Sequence, residues 1–200
     1  MSQLFEVLDF ADFANEYIKN MGCDIHLWVE VKTAEGWHPV HAPESLKTPL
    51  DIKHGLSKCY WCHRGPVEYG GKYSCPCCLG TEVRLSNWYN DRSYVIFSAL
   101  AGVRNFGTYS LEPMVYKRGL PEDLSPELAR VLEDTDHNQN WATLAEIVAY
   151  DWNQEFIIDW NGKTTIRKLS EWSENWLVIV DEMLKLGDPE NVRIVFYFDS

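Results

Sequence analysis

Residues 23 to 33, CDIHLWVEVKT, alternate between two sets of side chains with a period of two. In a strand, successive side chains point to opposite faces, so Cys23, Ile25, Leu27, Val29 and Val31 share one face. Asp24, His26, Trp28, Glu30 and Lys32 share the other. A one-residue slip would carry the whole apolar set to the wrong side, so this run commits the chain to a sheet with one buried face. The chain closes on a second such run, NVRIVFYFDS, with Val192, Ile194, Phe196 and Phe198 inward. Arg193 and Asp199 flank that apolar stretch, and one of them is expected to be buried and paired.

Turn and cap signals divide the rest. The first strand is expected to turn at Ala34-Glu35-Gly36 and return through Trp37 to His41. EFIIDWNGKTTIRK reads as a hairpin around Asn161-Gly162, a sequence suited to a type I′ turn. NDRSYVIFSALAGVRNFG reads as a helix capped by Asn90 or Asp91 and closing near Asn105 to Gly107. Ser125-Pro126 is a helix start with Pro at the first helical position. Thr143 and Glu146 form a capping box. Ser170 or Ser173 opens a helix carrying Trp176, Val180 and Leu184. The order of elements predicts an α+β fold, a mostly antiparallel sheet with helices packed on one side.

Two further segments stand apart. Residues 1–20 place Leu4, Val7, Leu8, Ala11, Ala14 and Ile18 at helical spacing, an amphipathic extension suited to packing on the body or to forming a homo-oligomer. Residues 21–200 form a single domain interrupted at about 53–84 by CYWC and CPCC. Two CxxC pairs twelve residues apart deliver four thiolates to a tetrahedral ion, so Cys59, Cys62, Cys75 and Cys78 are assigned to a structural Zn2+. Cys77 is left over, and His63 is not needed as a ligand. Gly65 and Gly80 behind the knuckles resemble the CxxCxGxG repeats of DnaJ-type chaperones.

A formal charge of −12 excludes the basic footprint needed to coat nucleic acid. It leaves room for a small anion held by converging arginines. No stretch is long and apolar enough to span a bilayer, and the N-terminus lacks the basic start of a secretory signal, so a cytoplasmic protein is expected. At 14% aromatic with nine tryptophans, the chain has ring surface to spare for a pocket. Asp24 and His26 lie two apart on one strand face, where a carboxylate can orient an imidazole for proton transfer. Arg92 sits in a first helical turn, where a cation is unfavourable unless an anion faces it. Arg104 and Asn105 close that helix, Arg118 lies in the basic loop KRGLP, and His137 lies in the polar loop EDTDHNQNW.

MGCDIHLWVE, NDRSYVIFSALAGVRN, RGLPEDLSP, DHNQNWATLAE and NVRIVFYFDS together resemble a bacteriophage and bacterial family without an assigned activity. Its members open on an MGCDIH-type strand and close on a VRIVFxFD-type strand. The resemblance runs in order from Met21 onward and implies recurring polar positions at Asp24, His26, Arg92, Arg104, Asn105, Arg118, His137 and Asp199. Where members carry a second histidine, this chain has Gln139. The resemblance implies a phage-type accessory protein acting in the host cytoplasm, possessing a pocket for a small phosphorylated nucleotide-like ligand. One expectation is phosphodiester hydrolysis without a catalytic metal: His26 as base oriented by Asp24, His137 as acid, and arginines on the phosphate. The alternatives are a non-catalytic sponge for a nucleotide second messenger and a zinc-stabilised acidic adaptor for a host protein.

Overall fold

The computed structural model describes residues 22–46, 87–89, 91–105, 109–133, 138–160 and 162–199. The N-terminal extension, the four cysteines assigned to zinc and His137 lie outside the described residues.

The fold is α+β. Strands β1 (Asp24–Thr33), β2 (Gly36–Val40), β3 (Asn140–Thr143) and β6 (Val192–Asp199) form an antiparallel sheet in the order β2-β1-β6-β3. The first and last of the described strands are thus central neighbours, with Asp24 opposite Asp199 and Glu30 opposite Arg193. Beyond the short β2, the edge of β1 is met by Asn87 and Trp88. The Asn87 side chain accepts from the Leu27 amide at 3.1 Å and donates to the Ile25 carbonyl at 3.3 Å. The Trp88 amide donates to the Leu27 carbonyl. This pairing satisfies backbone groups that would otherwise be orphaned.

The expected faces hold. Ile25, Leu27, Val29, Ile194, Phe196 and Phe198 are buried in one large core. It is closed by α1 (Tyr94–Ala101), α3 (Leu144–Ala149), α4 (Glu174–Leu184) and Phe156 of the hairpin formed by β4 (Glu155–Trp160) and β5 (Lys163–Lys168). The expectation of helices on one side needs correction. The helix α2 (Pro126–Leu132) lies on the opposite face, where Leu128 and Leu132 pack with Trp28 and Val195 in a second apolar cluster. Trp28 stood at a nominally polar position, and its large apolar surface is what this helix covers.

Local signals account for most boundaries. Ser125 caps α2, its hydroxyl accepting from the Leu128 amide, and Thr143 with Glu146 closes the capping box of α3. The helix α1 differs from expectation at both ends: Ser93 is its N-cap and Gly102 its C-cap. Gly102 adopts φ 70°, and the amides of Gly102 and Val103 return to the Ser98 and Phe97 carbonyls, which ends the helix before Arg104. The strand β3 was not expected at all; its four residues carry too short a pattern to stand out. Among the described residues no helix is long and apolar enough to cross a membrane.

Candidate functional site

The second face of the sheet is divided by α2. Toward one end it covers Trp28 and Val195. At the far end of β1 and β6 the face carries Asp24, His26, Tyr197 and Asp199, with His26 opposite Tyr197 in register.

His26 is the centre of this open end. Its Nε2 lies 2.9 Å from Asp199 Oδ2, and the other Asp199 oxygen accepts from the Asp24 backbone amide at 2.9 Å. The partner that orients His26 is therefore Asp199 across the strand pair, in place of Asp24 on its own strand. Asp24 is occupied elsewhere: Arg92 donates to it in a fork, Nε to Oδ1 and Nη2 to Oδ2, both at 2.7 Å. That pairing supplies the anion that Arg92 needs near the start of α1. With Nε2–H donated to a carboxylate, the tautomer is fixed and Nδ1 becomes the basic nitrogen.

Burial pushes the Asp199 carboxyl up, but the hydrogen bonds from His26 and the Asp24 amide, with the charges of His26 and Arg92, outweigh it. Asp199 is held below the usual carboxylate range. The side chains remain accessible, 27% for His26 and 50% for Asp199. His26 also stacks on Tyr197, ring centroids 4.7 Å apart and 15° between planes, and Tyr197 stacks in turn on Trp28 at 6.0 Å. The imidazole is thus held by a carboxylate at its edge and an aromatic ring at its face.

The backbone before β1 completes the cluster. Gly22 accepts from Arg104 Nη2 at 2.9 Å. A Cβ built on Gly22 would lie 3.3 Å from Arg92 Nη1, so glycine gives that guanidinium the room it occupies. Arg104 holds φ 59°, a left-handed conformation rarely adopted by a residue with a side chain. It also stands 5.8 Å over the Tyr94 ring. Cys23, at 3% exposure, is buried just beneath; burial raises its thiol pKa despite a counteracting hydrogen bond from Arg104.

The structure thus brings together Asp24, His26, Arg92, Arg104 and Asp199. Asn105 serves its own loop, accepting from the Tyr109 amide. Arg118 is placed beside β3: it forks onto Glu146 at 3.0 and 2.7 Å and stands 5.3 Å over Trp141. These residues line a shallow groove of about 450 Å³ with Thr143, Ala145 and Glu190. Sequence reasoning missed Gly22, Tyr197 and Asn87. Tyr197 was readable as an outward residue of its strand, but its contact with His26 required knowing that the terminal strands pair. Asn87 carried no local signal.

Among the described residues no three or more His, Cys, Asp or Glu side chains are grouped to hold a metal ion. Comparison with family models, with curated proteins and with solved structures finds no match to this chain.

Proposed function

We propose that the open end of the sheet binds a small phosphorylated nucleotide-like ligand and hydrolyses a phosphodiester bond in it. The observation that carries this reading is the His26–Asp199 pair, a partly exposed imidazole held in one tautomer beside two arginines. In this reading Nδ1 of His26 takes a proton from water as the water oxygen bonds to phosphorus. The leaving oxygen departs with a proton supplied by an acid, the role assigned to His137. Arg92 spends Nε and Nη2 on Asp24, which leaves its Nη1 donors for a phosphate oxygen. Such donors stabilise charge that grows in the transition state.

A non-catalytic sponge is the second reading, favoured by Gln139 standing where the resembled family carries a second histidine. Phage counter-defence is the biological setting of either reading, and it rests on that resemblance alone. The structural zinc on Cys59, Cys62, Cys75 and Cys78 belongs to the same proposal; elemental analysis should give one zinc per chain, and none would remove it.

The test is to incubate the protein with cyclic dinucleotides and cyclic ADP-ribose isomers, then chromatograph the filtrate with and without prior heat denaturation. New product peaks that grow with time support the hydrolase. A ligand lost from the filtrate and returned intact by heating identifies a sponge. An unchanged panel counts against both and favours the acidic adaptor.

A further inference from the structure

The β4–β5 hairpin has one edge that is used and one that is not. On the inner side, the Ile157 amide donates to Ser110 Oγ at 2.8 Å and the Ile157 carbonyl accepts from the Ser110 amide at 3.1 Å. Both backbone groups of Ile157 therefore point away from β5, so Ile157 and its partner Ile166 form a non-hydrogen-bonded pair. It follows that the N–H and C=O of Ile166 point away from β4, toward the outer edge. By the period of two, those of Thr164 and Lys168 do the same. Among the described residues no strand pairs with that edge.

The side chains along this edge are unusual for the chain. All six residues of β5 are exposed, on both faces of the strand. Lys163, Arg167 and Lys168 place three cations on it and no acid, in a protein of net charge −12. Ile166 is 63% exposed and lies against Ile157, itself 43% exposed, on the face that carries Lys168 opposite Glu155. Lys163 and Arg167 lie on the other face, opposite Trp160 and Phe156 with no acid across from them. A second copy of the strand is a poor occupant. Outward groups meet outward groups only if antiparallel self-pairing centres on one residue. About Thr165 it sets Lys163 opposite Arg167, like charges directly opposite, and about Ile166 it still brings six cations to one seam.

We propose that β5 is a docking edge for an extended acidic segment of a partner protein, added as a further strand. Backbone bonds to Thr164, Ile166 and Lys168 would supply the register, the exposed isoleucines an apolar contact, and Lys163, Arg167 and Lys168 the selection for acids. This site is independent of the His26 cluster.

The test is titration of the isotopically labelled full-length chain with a blocked octapeptide of alternating Glu and Val, and with its Lys-Val counterpart. The Glu-Val peptide should shift the Thr164, Ile166 and Lys168 amide signals saturably, and bind at least about ten-fold more tightly than the Lys-Val peptide. High salt should weaken it. Ile166→Pro, which removes an outward amide without touching a bond to β4, should weaken binding about ten-fold. Ile166→Glu should act in the same direction with the backbone intact, which guards against a folding artefact of the proline. Unmoved amides at millimolar peptide, or equal binding of the two peptides, would overturn the proposal. So would a concentration-dependent dimer that Ile166→Pro abolishes, since a second copy would then own the edge.

Discussion

The two ends of one sheet face carry similar charges put to opposite uses. At the inner end, Glu30 and Arg193 face each other across β1 and β6, Nε to Oε2 at 2.8 Å, both essentially inaccessible. Further partners surround the pair: Ser125 donates its amide to Glu30, Arg193 reaches the side chain and carbonyl of Asp123, and Trp37 lies 3.9 Å from the guanidinium. The indole of Trp37 also donates to Asp123. At the outer end, the same strands carry Asp24 and Asp199 with half their surface open, His26 with about a quarter open, and Arg92 laid across the rim. Buried charge bonded to Asp123 and Ser125 ties that segment to the sheet. Open charge with donors to spare is available to a ligand.

The comparison breaks most easily at the buried end. Glu30→Ala would leave Arg193 buried without its main partner, a change that typically costs about 3–5 kcal/mol, read as a fall in the urea midpoint. Unfolding at an unchanged midpoint would mean that the inner charges are solvated. Leu128→Ala comes next, at about 2–5 kcal/mol, because it opens a cavity between α2 and Trp28. If α2 only rests on the sheet, the loss will be far smaller.

Acidification sharpens the contrast. Hydrogen bonding from Arg193 lowers Asp123, hydrogen bonding from Arg118 lowers Glu146, and Asp199 is lowered by His26 against the opposing effect of burial. Each folded-state value lies below its unfolded value, so the stabilisation is present above the ordinary carboxylate range near pH 4 and is lost as pH falls through the depressed values. Denaturation series between about pH 6 and pH 2.5 should show stability falling only at the acid end. The smallest effect is at the outer end itself. Asp199→Asn should cost less than about 1 kcal/mol, as for other accessible pairs, while reducing any turnover by about 100-fold or more through loss of the His26 tautomer. A large stability loss with turnover preserved would make the outer end structural too.

The two ends were also unequally legible. Alternation along residues 23–33 and 192–199 identified both faces, and the same alternation placed Asp24, His26, Arg193 and Asp199 on the second one. Caps at Ser125 and Thr143 and the Asn161-Gly162 hairpin were local signals, and the described parts of those elements follow them. Pairing of the first strand with the last was not local, and everything specific to the site depends on it. Asp24 and His26, two residues apart, looked like partners; the strand register instead gives His26 to Asp199, 173 positions away, and frees Asp24 for Arg92. Arg118, a loop cation, has no visible partner in sequence, and Glu146 reaches it only in the fold. The burial of Trp28 was equally unreadable, because it requires a helix from residues 126–132.

The most direct test of the account compares wild-type protein with His26→Ala in a time course of nucleotide product formation, monitored by chromatography. The account predicts products with the wild type, at least about 100-fold slower formation in the variant, and retained ligand depletion on filtration, since Arg92 and Arg104 remain. Full turnover by His26→Ala in a protein that still folds would contradict it.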